Sequence, residues 1–524
     1  MTTLAAFLFP FLAVAQIQAP EAAGSPELWQ QAKSRQQDHR FSTLFTAQDV
    51  RQFLSSEEGL AKATDWCKQT GVTKVYLESY RDGYQAEREV LQRAKKHFQE
   101  GGWEVSGCVT PTGIGKASSG WKTVSCYTDA ATQLQVRKIF EFTAALFDQI
   151  MIDDFWFTDC TCPDCDQARQ SRTVRIGERA YQTAGDTWEE YRGELMWQLS
   201  KSYVLAAAKA VNPATRLILK YPQWYDRFHE RGYDVARETA SFDWIWVGTE
   251  SRDYNDPRWG GTPQYESYFI MRWLGGMAGS KCGGGWYDWL GTTSATYLEQ
   301  ARQTVLGGAR ESMLFCYGGL QSATGPSNVL TLRSNVVELL DVARQVRGRS
   351  IVGLAAYKPA HSHPGTDSRI FDFVGMLGFP LVPVHEFPIN APAAFFSIHA
   401  LKDPSFPAKL TAFIQAGKPV LITDGLAQQL AGKVDLTPRH VCQLPVKGDP
   451  KSLLGWSRET IDPLRAQLLA PFQTRFEGPP LVSLYLFADG SWAVENFNQA
   501  AVRVRLNDRD WTINPRAWRY EWKP

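Results

Sequence analysis

The hydrophobic pattern between residues 41 and 348 alternates short apolar runs with longer amphipathic stretches. This alternation predicts parallel strands joined by helices. Strands are predicted at 41–45, 74–78, 104–109, 149–155, 216–220, 244–248, 281–286 and 312–317. Helices are predicted at 59–70, 85–100, 131–146, 188–211, 264–278, 297–307 and 328–346. Eight such units predict a closed (β/α)8 TIM barrel over 41–349, since an open sheet of eight parallel strands usually reverses its strand order.

Two smaller units are predicted after the barrel. Short apolar strands at 351–357, 381–383, 394–398 and 420–423, with helices at 370–377 and 408–416, predict a flavodoxin-like α/β domain over 350–440. That stretch contains no G-x-G-x-x-G loop, so we expect no nucleotide there. After a connector at 441–464, period-two alternation and the Asp489-Gly490 turn predict a small antiparallel β-sandwich over 465–524.

The first 15 residues are apolar and end in the small-residue pattern Ala13-Val14-Ala15. This pattern predicts a cleaved signal peptide and a periplasmic or secreted protein, although no Lys or Arg precedes the apolar stretch. A disordered apolar start is the alternative. Residues 16–40 are expected to be a linker, and no later segment is apolar for long enough to predict a membrane span.

Charge and aromatic content narrow the class of ligand. The 56 Lys and Arg residues nearly balance the 55 Asp and Glu residues, so no general field attracts nucleic acid or anionic lipid. A neutral partner such as a carbohydrate fits better. Aromatic residues make up 13% of the chain, with 19 Trp, and many follow predicted strands. Such rings stack on sugars, although large aromatic side chains also fill cores.

Carboxylates stand at the ends of four predicted barrel strands, where the chemistry of this fold is found. Glu78 ends the second strand, Asp153-Asp154 the fourth and Glu250 the sixth, and Asp288 follows the seventh. Glycoside cleavage requires one carboxyl group as proton donor and a second as nucleophile or base. Strands four and six can supply both groups.

The pair Asp153-Asp154 is the strongest signal, because two acids that close a buried apolar strand are costly without a purpose. Adjacent strand residues point to opposite faces, so only one of them faces the barrel mouth squarely. We favour Asp154 as the catalytic group and Asp153 as the neighbour that orients it. The reverse assignment stays open, as does a purely structural role for both in capping or pairing with adjoining loops.

Glu250 is the favoured partner, with Arg252 placed to hold either its carboxylate or a substrate hydroxyl. A plain Glu–Arg surface pair is the alternative. Asp288, beside Trp286, is kept as a second possible partner, although its aromatic neighbours suggest a sugar-stacking wall. Predicted substrate-binding residues are Glu78, Lys220, Tyr221, Trp224, Arg252, Trp286 and Asp288.

Three of the nine cysteines, Cys160, Cys162 and Cys165, lie within six residues. Such a group binds a metal more readily than it forms disulfides, and a structural zinc site requires a fourth ligand. Cys126 is favoured over Cys108, because the loop that holds Cys126 should lie beside the triad. Free or disulfide-bonded cysteines remain the alternative, since export favours oxidation.

The order of barrel, flavodoxin-like domain and β tail resembles glycoside hydrolase family 42 β-galactosidases. The local similarity lies in Cys126-Tyr127-Thr128-Asp129, the acidic end of strand four and then Cys160-x-Cys162-x2-Cys165. The resemblance implies a zinc ion that braces the rim loop, a catalytic acid at strand four, retention of configuration and a homo-oligomer, a dimer or trimer.

The chain also departs from that family, which places Asn-Glu at strand four and a nucleophilic Glu at strand seven. Here strand four ends in Asp153-Asp154, and strand seven has no Glu. Pairing strands four and six is instead similar to the α-galactosidase and α-glucosidase clan, which implies attack by Asp154 and protonation by Glu250. The role of each acid therefore stays open, and so do the sugar and its anomer.

A glycosidase acting on a galactoside-like glycan is the favoured function. A catalytically silent carbohydrate-binding barrel is the main alternative, suggested by the missing strand-seven Glu and the rim Trp residues. A metal-dependent hydrolase or deacetylase is disfavoured, because the chain has no H-E-x-x-H pattern.

Overall fold

The computed structural model describes residues 25–524. Within that range eight parallel strands close into a barrel, because the first strand pairs with both the second and the last. We number them β1 Arg40–Phe45, β2 Val72–Arg81, β3 Glu104–Val109, β4 Gln149–Ile152, β5 Arg216–Tyr221, β6 Trp244–Gly248, β7 Cys282–Asp288 and β8 Glu311–Phe315. The predicted (β/α)8 barrel is confirmed.

The barrel interior is filled by side chains that alternate along the strands. The buried interior cluster consists of Leu44, Tyr76, Cys108, Met151, Ile218, Trp246, Trp286, Met313 and Cys316. Side chains two positions further along point to the same side of a strand. At the carboxyl end of the barrel, the residues at these positions are Glu78, Thr110, Asp153, Lys220 and Asp288. The fold therefore places a polar layer directly above an apolar one.

Helices surround the barrel between successive strands. They span Ala47–Phe53, Glu57–Gln69, Arg88–Glu100, Ala130–Ala144, Pro163–Gln170, Trp188–Leu199, Ala206–Val211, Val235–Ser241, Glu266–Ala278, Ser294–Leu306, Gly325–Arg333 and Val336–Arg347. The π-helical segment Ser200–Leu205 joins the two parts of the helix predicted at 188–211. The helix predicted at 328–346 is divided in two, with a break at Ser334-Asn335.

The linker predicted at 16–40 is wrong over part of its length, because Ser25–Ser34 forms a helix. Leu28 and Ala32, four residues apart, are buried against the barrel, and the Trp29 ring lies 5.1 Å from that of Trp103. This spacing places both residues on one face of a helix. The signal peptide predicted at 1–15 lies outside the described residues and stays a prediction.

The second unit contains a five-stranded parallel sheet. Its spatial order is Leu381–Val384, Leu354–Tyr357, Ala394–Phe396, Val420–Thr423 and Val441–Leu444, which is the flavodoxin-like order. Its helices are Ile370–Gly375, Phe406–Gln415 and Asp424–Gln429. The connector predicted from residue 441 is therefore wrong at its start: Val441–Leu444 pairs with Val420–Thr423, and the side chains of Cys442 and Leu444 are buried.

The C-terminal unit consists of two antiparallel sheets. One contains Ile351–Val352, Val482–Phe487, Trp492–Asn496 and Trp518–Glu521, and the other contains Phe476–Glu477, Val502–Leu506 and Arg509–Ile513. The rings of Trp492 and Trp511, one from each sheet, are 5.8 Å apart. The helix Arg458–Leu469 includes residue 464, at which the connector was predicted to end, so this predicted boundary lies inside a helix.

The strand predicted at 351–357 is divided between two sheets. Ile351–Val352 pairs with Val482–Phe487 in the C-terminal unit, whereas Leu354–Tyr357 belongs to the flavodoxin-like sheet. Gly353 separates them, and a Cβ at this position would lie 2.1 Å from the Pro380 carbonyl oxygen. No helix within residues 25–524 has both the length and the apolarity required to cross a bilayer.

Candidate active site

Lys220 stands among three carboxylates at the mouth of the barrel. Ile218 belongs to the interior cluster, so Lys220, two residues on, also points inward from β5. Its Nζ donates hydrogen bonds to Asp154 Oδ2 at 2.7 Å, to Glu250 Oε1 at 2.8 Å and to Asp153 Oδ1 at 3.4 Å. The structure thus brings Asp153, Asp154 and Glu250 together around one ammonium group.

Asp154 and Glu250 are close enough to act on one glycosidic bond. Since Asp154 Oδ2 and Glu250 Oε1 both accept from Lys220 Nζ, the two oxygens are at most about 5.5 Å apart, the sum of the two hydrogen-bond lengths. Carboxyl groups about 5–5.5 Å apart are typical of retaining glycosidases, and about 6.5–9.5 Å is typical of inverting ones. The upper limit of about 5.5 Å for this pair of oxygens coincides with the top of the first range.

Asp153 is held on the other side by β2 and β3. Arg81 Nη2 donates to Asp153 Oδ2 at 2.9 Å, and the Thr110 hydroxyl donates to the same oxygen at 3.0 Å. Arg81 Nε also donates to Glu78 Oε2 at 2.8 Å, and Glu78 is fully buried. Asp153 and Glu78 therefore hold the Arg81 guanidinium between them, and Asp153 also holds the Thr110 hydroxyl.

Glu250 is connected through Arg252 to the end of β7. Arg252 Nη2 lies 3.4 Å from Glu250 Oε2 and 2.6 Å from Asp288 Oδ2. Gly248, at the end of β6, leaves room for the carboxylate, since a Cβ there would lie 3.1 Å from Glu250 Oε1. Asp288 Oδ1 also accepts a hydrogen bond from the Leu290 backbone N–H at 3.0 Å. This bond fixes the Asp288 carboxylate, which in turn orients Arg252.

The cluster contains five acids, Glu78, Asp153, Asp154, Glu250 and Asp288, against the three bases Arg81, Lys220 and Arg252. Such an excess of buried carboxylates favours retention of a proton by one of them. The environment of each acid decides which one retains it.

Burial raises the pKa of Asp154 to about 8, with the charges of Asp153 and Glu250 acting in the same direction and Lys220 acting against them. Burial also acts to raise the pKa of Asp153, but Lys220 and Arg81 outweigh it and hold that pKa below its usual value. Burial raises the pKa of Asp288 to about 6, against the effect of Arg252. Of Asp154 and Asp288, the two acids with these raised pKa values, Asp154 has the higher one, which favours retention of the proton on Asp154 at neutral pH.

Two predicted substrate-binding residues do not reach the barrel mouth. Trp286 is 2% exposed inside the barrel, with its ring centroid 4.0 Å from Lys220 Nζ, so it supports the lysine from the apolar layer. Tyr221 points outward from β5 because it follows the inward Lys220, and its hydroxyl donates to Glu238 Oε2 at 3.0 Å. The substrate-binding role predicted for Trp286 and Tyr221 is therefore wrong, and both side chains are structural. Trp224 is half-buried against Phe157 and Tyr233.

Three groups around the acids were not predicted from the sequence. Arg81 and Thr110 bind Asp153, and the Tyr233 hydroxyl donates to the Asp154 backbone carbonyl at 2.6 Å. Strand periodicity contained a signal for Thr110, which follows the interior residue Cys108 by two positions. At the rim, Trp121 is 45% exposed, and its ring lies 5.5 Å from that of Phe155.

Four cysteines converge on the loop that follows β4. The Sγ atoms of Cys126, Cys160, Cys162 and Cys165 all lie within 4.8 Å of one another. Cys126 Sγ lies 3.8 Å from Cys162 Sγ and 3.6 Å from Cys165 Sγ, and Cys162 Sγ lies 3.7 Å from Cys165 Sγ. Cys108, the alternative fourth member, belongs to the barrel interior.

Comparison with known families identifies the barrel. Residues 25–332, more than half of the 524-residue chain, match the family model described as a probable glycosyl hydrolase catalytic domain. The chain belongs to this glycosyl hydrolase family. The matched range contains β1 to β8 and every member of the acid cluster, and it ends before the flavodoxin-like unit.

Two further proteins are similar to this glycosyl hydrolase family member. An uncharacterized protein of Saccharolobus solfataricus is 28% identical over 356 residues, which cover 62% of this chain and 57% of that protein. The chain thus spans little more than half the length of this relative. The structure of α-L-fucosidase isoenzyme 2 from Paenibacillus thiaminolyticus aligns with a TM-score of 0.51 at 11% identity, covering 74% of this chain and 64% of the fucosidase. That likeness shows the fold.

Proposed function

We propose that this protein is a retaining glycoside hydrolase acting on a neutral, galactoside-like glycan, with Asp154 as general acid/base and Glu250 as nucleophile. The observation that carries the proposal is the shared contact of both carboxylates with Lys220 Nζ. It limits the distance between two of their oxygens to about 5.5 Å, and burial raises the pKa of Asp154 to about 8, which supports a protonated group at neutral pH.

The reaction follows from these positions. Protonated Asp154 gives its proton to the glycosidic oxygen while Glu250 attacks the anomeric carbon, which forms a glycosyl ester and releases the leaving group as an alcohol. Ionised Asp154 then takes a proton from water as the water displaces Glu250. Lys220 contacts both carboxylates and stabilises negative charge on whichever of them carries it at each stage. Asp153 and Asp288 are positioning residues, because each holds a cation that contacts the acid pair.

A silent carbohydrate-binding barrel is the second candidate, and the observation that favours it is the pairing of both carboxylates with Lys220. Only 13% of the Asp154 side chain and 8% of the Glu250 side chain are exposed. A bound sugar must therefore compete with the lysine for contact with the acids.

A panel of para-nitrophenyl glycosides distinguishes the two candidates. We expect nitrophenol release from a galactoside or a related neutral hexoside, with the product keeping the anomeric configuration of the substrate. Nuclear magnetic resonance of the first-formed sugar measures that configuration. A protein whose thermal unfolding midpoint rises with a sugar, but which releases no nitrophenol from any member of the panel, is a binder.

We also propose that Cys126, Cys160, Cys162 and Cys165 hold a structural zinc ion, as the resemblance to family 42 implies. Tetrahedral zinc with Zn–S bonds of about 2.3 Å separates its sulfur ligands by roughly 3.8 Å, close to the sulfur separations described above. A disulfide requires about 2.05 Å. The ion would join the loop that contains Trp121 and Cys126 to the loop that follows Asp154, and so brace the rim.

The Cys126→Ser variant is expected to contain one zinc ion per chain fewer than the wild type, as measured by elemental analysis. Its KM should rise by about tenfold while kcat changes less, since a loosened rim displaces Trp121 and Phe155 more than the buried acids. Cys442→Ser, in the flavodoxin-like sheet, is the matched control. Equal zinc content in Cys126→Ser and the control would contradict the zinc proposal.

A further inference from the structure

A second group of metal-ligating side chains lies where the barrel meets the flavodoxin-like unit. It consists of Glu189 on the helix Trp188–Leu199, His229 in the loop after β5, and His363 in the loop after Leu354–Tyr357. One ligand atom from each of the three lies within 4.8 Å of the other two. The chain has eight histidines, and His361-Ser362-His363 is an H-x-H pattern that was overlooked in the sequence.

The three side chains converge closely. His229 Nε2 lies 3.2 Å from His363 Nδ1 and 3.9 Å from Glu189 Oε1, and His363 Nε2 lies 3.0 Å from that same oxygen. The ligand atoms of a tetrahedral zinc ion with bonds of about 2.1 Å are roughly 3.4 Å apart. More than half of the His363 side chain is exposed, and each of its two ring nitrogens faces one of the other two ligands.

The charged residues around Glu189 and His229 favour a bound cation. Only 5% of the His229 side chain is exposed, and its Nε2 faces both His363 and Glu189. Glu189 and His229 line a cavity of about 290 Å³, whose described wall also holds three acids, Glu190, Glu194 and Asp234, against the cations Arg237 and Lys402. Arg237 is paired with both Glu194 and Asp234 at 2.6 Å.

We propose that Glu189, His229 and His363 form a second metal site, which binds a divalent first-row transition ion such as Zn²⁺ and ties the flavodoxin-like unit to the barrel. Two imidazoles and one carboxylate form a ligand set that suits Zn²⁺, Co²⁺ and Ni²⁺. Glu189 and His229 also line the cavity, so water would be available to fill the remaining coordination positions. Its ligands are different residues from those of the acid cluster and come from both structural units, so the ion would stabilise the contact between the two units.

The alternative is a hydrogen-bonded chain without an ion, in which His363 bridges His229 and Glu189. The two arrangements differ in metal content and in their response to added metal. Full-length protein, stripped with a chelator and reloaded with Zn²⁺, is expected to hold two zinc ions per chain by elemental analysis. His363→Ala should hold one, and so should Cys126→Ser. The control His385→Ala, which replaces a partly exposed histidine outside the cluster, should hold two.

Thermal unfolding supplies a second measurement. Adding excess Zn²⁺ to stripped Cys126→Ser should raise the unfolding midpoint by on the order of 5 °C, and adding His363→Ala to that background should abolish the rise. Full zinc content in His363→Ala, or an equal rise with and without His363, would overturn the proposal. Failure of glycoside hydrolysis would not affect it, since neither measurement depends on activity.

Discussion

The Asp154→Asn variant is expected to hydrolyse para-nitrophenyl glycosides about a thousandfold more slowly than the wild type in kcat/KM, because it removes the proton donor. With a dinitrophenyl leaving group, which departs without a proton, the glycosylation step should be nearly as fast as in the wild type. Glu250→Gln removes the nucleophile and should abolish hydrolysis for both leaving groups. Steady-state kinetics on the two substrates therefore assign the two roles.

The pH profile gives an independent check. Asp154 acts in its protonated form, so wild-type kcat/KM should fall as the pH rises through about 8, the raised pKa of that group. The alkaline fall should disappear in Asp154→Asn. Asp148→Asn changes an acid at the opposite end of β4, where Asp148 accepts a hydrogen bond from Asn212, and should leave the profile unchanged. If Asp154→Asn lost activity equally on both substrates and Glu250→Gln did not, the two roles would have to be exchanged.

Replacement of Lys220 with Met should lower the free energy of unfolding by about 3–5 kcal/mol at neutral pH, because it leaves Asp153, Asp154 and Glu250 buried without their shared cation. Methionine has a similar length, so little packing is lost against Trp286. Urea unfolding followed by tryptophan fluorescence measures the change.

The loss of unfolding free energy in Lys220→Met should depend on pH. Without the ammonium group, the folded-state pKa of Asp154 rises further above its unfolded value, and the pKa of Asp153 rises from its lowered value because one of the two cations that hold it down is gone. Stability is then retained at low pH, where both states bind the protons, and is lost as the pH rises through the folded-state pKa values. The gap between Lys220→Met and wild type should therefore be smaller at pH 5 than at pH 8.

Lys74→Met is the matched control for Lys220→Met. Lys74 is equally buried at the opposite end of the barrel, where it pairs with Glu311 and with the half-exposed Glu104. We expect it to destabilise the fold with less dependence on pH and to leave kcat/KM of the folded protein unchanged. The same loss of stability at pH 5 and pH 8 in Lys220→Met would contradict the assigned role of Lys220.

The barrel was predictable because its signals are local. Each strand is an apolar run, and the period-two spacing that places Tyr76, Met151, Ile218 and Trp286 inside also places Glu78, Asp153, Lys220 and Asp288 at the mouth. The flavodoxin-like order could be expected from four strands alone. The fifth, Val441–Leu444, is short and follows a stretch without a clear apolar pattern, and its pairing with Val420–Thr423 identifies it.

Contacts between distant segments were not predictable in this way. Arg81 approaches Asp153 across 72 residues of sequence, and a lone Arg near a strand end has no local sign of its partner. Trp286 shows the opposite error: a Trp beside a strand-end acid suggests a sugar platform, but its parity on β7 turns it into the barrel. Whether a residue occupies an inward or an outward position in the alternation along its strand predicted its location better than the chemical character of its side chain did.

The two short strands on either side of Gly353 limit how this protein can be divided into fragments that fold separately. Since Ile351–Val352 completes the C-terminal sheet and Leu354–Tyr357 begins the flavodoxin-like one, a chain cut after residue 475 would separate the last unit from an edge strand that it needs. The C-terminal sheets are therefore not an interchangeable module. A graft of this tail onto another enzyme would have to include residues 351 and 352 as well as everything after residue 475.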